Sequence, residues 1–176
     1  MDYTKITIET ERLKLVPLSK EYREDVFREF TSEITTYMYP KPNDSLEDVD
    51  KWIEETQEEM KKGEDLTFHV LDKSTGEFVG TGGLHKPHTK TPEFGIWIKK
   101  SAHGNGYGVE AITALKKWAD KNIECEYITY PVDKKNVASR KIPESLGGEI
   151  KKEYKQTNLA GNELDEVEYH IYPNKN

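Results

Sequence analysis

The chain has 176 residues, 34% of them hydrophobic and 34% charged, with 33 acidic and 26 basic side chains and a net charge of −7. That length fits one domain spanning residues 1–176, and the acidic balance excludes a basic nucleic-acid-binding surface while suiting a cationic acceptor as well as plain solubility. The single cysteine, Cys125, excludes an internal disulfide, and with no apolar signal region and no apolar run near the roughly 20 residues that span a bilayer, the chain reads as soluble and cytoplasmic, with no membrane partner.

Residues 12–18 alternate, with Leu13, Leu15 and Pro17 on one face, and predict a first strand. Tyr22, Val26, Phe27 and Phe30 fall at helical spacing. The prolines of YMYPKPN make a loop. Asp44 with Glu47, or Ser45 with Asp48, can then form a capping box for a second helix. Leu46, Val49, Trp52, Ile53, Thr56 and Met60 mark its buried stripe, EETQEEMKK its solvated face, and Gly63 its left-handed end. LTFHVLD, the turn KSTGE and EFVGTGGL predict a hairpin, residues 87–92 a loop, and EFGIWIKK a further strand. Residues 109–122 predict an amphipathic helix with Ala111, Ile112, Leu115, Trp118 and Ala119 facing inward. EYITYPV is a strand, residues 136–146 a short helix closed by Gly147-Gly148, and two last strands at 149–157 and 165–172 flank NLAGN. Strand–helix–strand crossovers in this order demand a mixed sheet with helices on its faces.

The sharpest motif is His103-Gly104-Asn105-Gly106-Tyr107-Gly108, between a strand end and a helix start. Glycines let successive backbone N–H groups turn inward without Cβ clashes. The free N–H groups of the helix's first turn point the same way, and its dipole adds positive potential. Together these bind a phosphate or pyrophosphate; the bland alternative is a flexible glycine turn. A dinucleotide fingerprint would need glycine where Val109 stands, and the P-loop ending G-K-S/T is absent.

On these residues the chain resembles the GNAT superfamily of N-acetyltransferases. His103, Gly106 and Gly108 match its loop pattern Q/R-x-x-G-x-G/A, with His103 where the family usually has Gln or Arg. Asn136-Val-Ala-Ser139-Arg-Lys-Ile-Pro143-Glu-Ser-Leu146-Gly147-Gly148 is similar to the family's N-x-x-S/A-x-x-x-x-x-x-L-G-F segment. The opening ETERLKLVPLSKEY and the long capped second helix resemble the ribosomal-protein N-acetyltransferase (RimJ/RimL-like) branch. The resemblance implies an α/β GNAT fold: a mixed, mostly antiparallel seven-stranded sheet with about four helices on its faces. It implies transfer of the acetyl group of acetyl-CoA to a primary amine, foremost a protein or peptide N-terminus. The alternatives are a small-amine acetyltransferase and a non-catalytic coenzyme A-binding regulatory domain. A monomer or homodimer is expected, with no metal. The cofactor-binding set is Ile98, Lys99, His103, Gly104, Asn105, Gly106, Tyr107, Gly108, Asn136 and Ser139.

By alternation Glu93, Gly95, Trp97 and Lys99 share one face of EFGIWIKK, so Gly95 leaves space between Glu93 and Trp97. In the family this strand splays from its neighbour, the thioester lies in the gap, and a glutamate here often deprotonates the acceptor amine. Glu93 is therefore the candidate base, or else an exposed strand-end carboxylate. Asn136 carries over as a pantetheine ligand and is also a favoured helix cap. Ser139 either protonates the departing thiolate or bonds a backbone carbonyl. Pro143 stands where many family members carry a tyrosine as general acid; it excludes that role and should kink or end its helix. His85 and His88, without an identifiable carboxylate or cysteine partner, make a poor zinc site and read as a loop near the acceptor cleft. His69 and His170 read as core or surface. Tyr37, Tyr39 and Trp52 either line the acceptor pocket, which the family places near the first two helices, or belong to the core.

Overall fold

A computed structural model describes residues 1–174, so the last two residues of the expected domain lie outside the described residues. In chain order the elements are β1 (Ile8–Glu9), β2 (Leu13–Pro17), a 3-10 turn (Lys20–Tyr22), α1 (Arg23–Glu29), α2 (Leu46–Lys62), β3 (Asp65–Asp72), β4 (Phe78–His85), β5 (Glu93–Ile98), a second 3-10 turn (Lys100–Ala102), α3 (Tyr107–Asn122), β6 (Ile128–Asp133), α4 (Val137–Ser145), β7 (Glu149–Thr157) and β8 (Glu163–Ile171). The strands form one sheet ordered β1-β2-β3-β4-β5-β6-β8-β7. Every pairing is antiparallel except β5 with β6. Eight strands replace the seven expected. The extra one is β1, held by Ile8 opposite Leu15 and Glu9 opposite Lys14; two residues carry no alternation for a sequence pattern to show. Among the described residues no helix is long and apolar enough to cross a membrane.

Local chemistry sets the helix ends. Of the two capping boxes, Ser45 is the one used: its Oγ accepts the Asp48 N–H at 3.1 Å. Gly63 ends α2 at φ 77°. Val49, Ile53, Thr56 and Met60 are buried as the stripe requires, while Trp52 is only half-buried because it faces a cleft. Trp118 is likewise half-buried, edge-on to Tyr3 at 5.6 Å. Pro143 lies inside α4, which ends two residues later.

Cross-strand register decides what each sheet face carries. Asp65–His85–Glu93, Thr67–Gly83–Gly95 and His69–Thr81–Trp97 form three rows across β3, β4 and β5. Opposite residues share a face, and α1 and α2 lie over this one. The other face carries Leu66, Phe68, Leu84 and Phe94, all buried, against Ala111, Ile112 and Leu115 of α3.

His69 is a core residue with no exposed surface. Its Nε2 is 3.0 Å from the Ser19 carbonyl, and Tyr22 and Phe78 meet its ring at 5.3 and 5.6 Å. Burial pushes this imidazole down to about 4, against the Ser19 bond. Between pH 6.5 and about 4 the unfolded chain takes up a proton that the folded chain refuses. Stability therefore falls as pH is lowered through this window, by about 3 kcal/mol. Urea unfolding at pH 7, 5.5 and 4.5 measures the slope, and His69→Gln should flatten it. In the same assay Ser45→Ala should cost about 1 kcal/mol at every pH; a pH-independent His69 contribution or a neutral Ser45→Ala would contradict these readings.

Candidate active site

The second 3-10 turn delivers the chain from β5 into the glycine loop. Gly104 and Gly106 stand at φ 81° and 76°, where side chains are strained. His103 and Asn105 brace the loop from within: His103 Nε2 lies 2.6 Å from the Ile98 carbonyl, and Asn105 Nδ2 donates to Ala102 O at 3.0 Å. Gly106 is the N-cap of α3 and offers no side-chain oxygen, so the first-turn N–H groups keep no capping partner. Arg12, read from sequence only as a strand start, comes to this place. An Nη atom lies 3.7 Å from where a Gly106 Cβ would sit, the guanidinium stacks 4.7 Å from the Tyr107 ring centre, and Nε bonds Glu110 at 2.7 Å. No sequence pattern could have joined Arg12 to a loop about ninety residues away. The packing of α3 across the sheet brings them together, and the result is an uncapped helix start with a cation beside it, the chemistry that holds an anion.

The strand leading into this loop parts from its neighbour. β5 and β6 are paired at one register, Glu93 opposite Thr129, with the Thr129 N–H donating to Pro92 O at 2.8 Å. The Lys99 N–H bonds Val79 O on the β4 side at 2.8 Å. Because backbone groups alternate along a strand, those of Ile96 and Ile98 turn to the β6 side. There they meet a widening gap instead of a ladder. Ile98 thus offers its N–H to the gap, whereas Lys99 is buried with its ammonium 2.6 Å from Glu77. The side chain of Lys99, counted in sequence among the cofactor ligands, is committed to Glu77 because its face of the strand is covered.

Below the sheet face that carries the three rows, a cleft of about 250 Å³ opens between α1, residues 38–43, α2 and β3–β5. Phe30, Met38, Trp52 and Trp97 form apolar walls, and Gly83 and Gly95 the floor. Tyr37 and Tyr39 point outward at 37% and 49% exposure, while Met38 and Pro40 between and beside them turn in. The charged lining is Lys41 and His85, with no carboxylate among the described lining residues. His85 Nδ1 is 2.8 Å from Asp65 Oδ2. Burial pulls this imidazole down, but the Asp65 hydrogen bond and charge, then Glu93 and Glu59, outweigh it and hold it above its ordinary value. Loss of hydration in this crowded corner pushes the Glu93 carboxyl up, with Glu168 and Glu166 adding and His85 and Lys86 opposing. The carboxylate partner of His85 escaped sequence reading because it lies twenty residues away on β3. Among the described residues no three His, Cys, Asp or Glu side chains gather as a metal cage.

An anion cradle at the start of α3, a gap between parted strands and a cleft below them are joined to a family match: the acetyltransferase (GNAT) domain matches residues 12–149. The chain belongs to the GNAT acetyltransferases. It is an acetyl-CoA-dependent N-acetyltransferase. It is 26% identical over 144 residues to the N-acetyltransferase p20 of Bacillus licheniformis, covering 80% of each chain. Among solved structures it superposes on RimL, the ribosomal L7/L12 alpha-N-protein acetyltransferase, with a TM-score of 0.82 at 16% identity, covering 95% of this chain and 94% of that one. The spermidine N-acetyltransferase of Vibrio cholerae, solved with CoA and spermine, gives 0.80 at 16% identity, covering 93% and 97%. At such identity both likenesses establish the fold.

In this acetyltransferase α4 begins beside the gap. Asn136 caps it, its Oδ1 accepting the Ser139 N–H at 3.3 Å. Ser139 Oγ pairs with the Tyr130 hydroxyl at 2.7 Å, rather than with the backbone carbonyl weighed from sequence. Burial pushes the Tyr130 phenol up to about 12, with the Ser139 bond opposing, so it stays neutral. Gly106→Val should weaken acetyl-CoA binding by about tenfold or more by filling the cradle. At φ 76° it should also cost about 1–3 kcal/mol of stability. Calorimetry on the folded variant checks the first effect and urea unfolding the second; undiminished affinity would remove the loop from the cofactor site.

Proposed function

We propose that the chain acetylates the α-amine of a protein or peptide N-terminus, as a member of the RimJ/RimL-like branch. The observation that carries this reading is the cleft: apolar aromatic walls sized for one side chain, with no carboxylate among its described lining residues. Among the described lining residues a polyamine, with several charges to satisfy, would find the cations Lys41 and His85 and no carboxylate. A terminal residue would place its side chain among Phe30, Met38, Trp52 and Trp97 and its amine near the row Asp65–His85–Glu93.

The residues of the gap and loop fit acetyl-CoA, which supplies the acetyl thioester when bound. In this reading the N–H groups of residues 104–108 and the first turn of α3 hold the pyrophosphate with Arg12 beside them. The backbone of Ile96 and Ile98 and the side chain of Asn136 hold the pantetheine arm. Ser139, whose Oγ is already paired with Tyr130, donates the proton that the departing thiolate needs. A thiol pKa near 8.5 makes that assistance modest, which is how Pro143 can stand in the place of a tyrosine. A polyamine acceptor is the second reading, favoured by Glu166 and Glu168 on β8, whose charges are felt at Glu93.

Coenzyme A release is to be measured with free-N-terminal peptides, N-blocked peptides carrying lysine, and spermidine. Free N-termini with an apolar first residue should exceed spermidine in kcat/KM by about tenfold or more, the discrimination that one well-filled apolar pocket provides. Preference for spermidine would select the second reading. Ser139→Ala should lower kcat by less than about tenfold, below the usual general-acid contribution.

A further inference from the structure

Three adjacent strands set one imidazole between two carboxylates. Asp65 opens β3, His85 closes β4 and Glu93 opens β5, each directly opposite the next. Asp65 is buried and both of its oxygens are engaged: Oδ1 accepts from the Thr67 hydroxyl, and Oδ2 faces His85 Nδ1 at 2.8 Å. An ionised carboxylate only accepts, so Nδ1 carries the proton at that contact and the neutral ring keeps its lone pair on Nε2. Among the described residues nothing bonds Nε2. It reaches over Gly95, where a Cβ would lie 2.8 Å away, and it belongs to the lining of the apolar cleft. The absent side chain at Gly95 keeps open the space that this lone pair addresses. Glu93 differs: it stands exposed at the strand end, where its neighbours displace only part of its hydration, and among the described residues its carboxylate has no hydrogen-bond partner to orient it.

We infer that His85, oriented by Asp65, is the group that takes the proton from the acceptor ammonium, and that Glu93 attracts the cation to the cleft mouth. This rests on the transferase reading above. The proton passes from the acceptor nitrogen to Nε2, and the electron pair stays on nitrogen. That pair forms the C–N bond as the C–S bond of the thioester breaks; the nitrogen gives up its second proton as the adduct collapses, and the departing thiolate takes up one proton by way of Ser139, so that a neutral amide and a thiol leave with His85 holding the first proton. The positive charge left on the ring faces Asp65.

The groups around His85 set its working range. Asp65 from β3, Glu93 from β5 and Glu59 from α2 favour the imidazolium, against burial. Lys86 beside it and Lys41 in the cleft lining are the nearby cations. The balance raises the ring above 6.5, which narrows the mismatch with an α-amine of pKa about 7.7–8.0.

The test combines nitrogen-15 NMR of the His85 ring with kinetics of His85→Gln, Asp65→Asn and Glu93→Gln. The neutral ring should be the Nδ1–H tautomer, and Asp65→Asn should move its titration to lower pH, since it removes the charge that favours the imidazolium. With an acceptor peptide, His85→Gln should lower kcat by about 10²-fold or more and leave acetyl-CoA affinity unchanged. Asp65→Asn should lower kcat less and shift the acidic limb of the pH profile to lower pH. Glu93→Gln should raise KM for the peptide and leave that limb in place. If Glu93→Gln abolishes the limb while His85→Gln retains it, the base is Glu93 and the inference is overturned. An Nε2–H tautomer, or a titration indifferent to Asp65→Asn, overturns it without any acceptor. A wild type that releases coenzyme A with no amine defeats the transferase reading itself, and the base assignment with it, even where the NMR result holds.

Discussion

β5 and β6 meet at Glu93 and Thr129 and then part, and the rest of the site depends on that divergence. The chain leaves β5, crosses through α3 and returns as β6, and such a crossover obliges the two strands to run parallel. Past their one shared register, the β6-facing backbone groups of β5 have no ladder. A backbone donor buried without a partner costs about 1–3 kcal/mol, so an open edge in the middle of a sheet persists only where solvent or a ligand reaches it. The gap is therefore an edge that must stay open to solvent or to a ligand. The glycine loop and the start of α3 stand at its far end, the start of α4 flanks its β6 side, and the apolar cleft opens on the sheet face that carries Gly83 and Gly95.

Charge is distributed to suit this arrangement. Glu110 lies in the first turn of α3, beside a cradle built for an anion. Burial raises its carboxyl, but bonds from Thr10 and Arg12 more than offset that and keep it ionised. Its charge is engaged by Arg12 across the sheet edge, leaving the helix dipole and the arginine fork on the ligand side. Lys99 is similarly withdrawn, bound to Glu77 away from the gap. The loop thus relies on backbone donors, whose positions are set by φ angles that only glycine adopts readily.

The two sheet faces do different work with the same three strands. One face is continuous apolar packing against α3. The other carries glycine, threonine and aromatic residues, and a cleft lies between it and α1 and α2. Thr67, Gly83 and Gly95 make its middle row, and His85 and Trp97 stand at either end. Small residues in the middle of a strand weaken it; here they hold space beside an oriented imidazole.

Much of this was legible in the amino-acid order. The helix over 46–62 and its Gly63 end follow from patterns within a few residues of one another, as do the β5 alternation and the glycine loop, because hydrogen-bond geometry within an element is local, while the cap is narrowed only to Asp44 or Ser45 and the structure uses Ser45. What lay beyond reach depends on register and crossover. The two-residue β1 exists only because β2 offers it an edge. Lys99 shares a face with Glu93 by alternation, yet its ammonium is taken by Glu77, which lies just before β4. Ser139 meets Tyr130 across an α4–β6 contact. Arg12 reaches the glycine loop because α3 packs across the sheet onto β2, and Asp65 reaches His85 through the β3–β4 pairing. The sequence by itself determined the elements apart from β1, the glycine loop between β5 and α3, and the family. The tertiary structure decided which charges are free, which are paired and which lone pair faces the cleft, because those depend on side chains brought together from strands far apart along the chain.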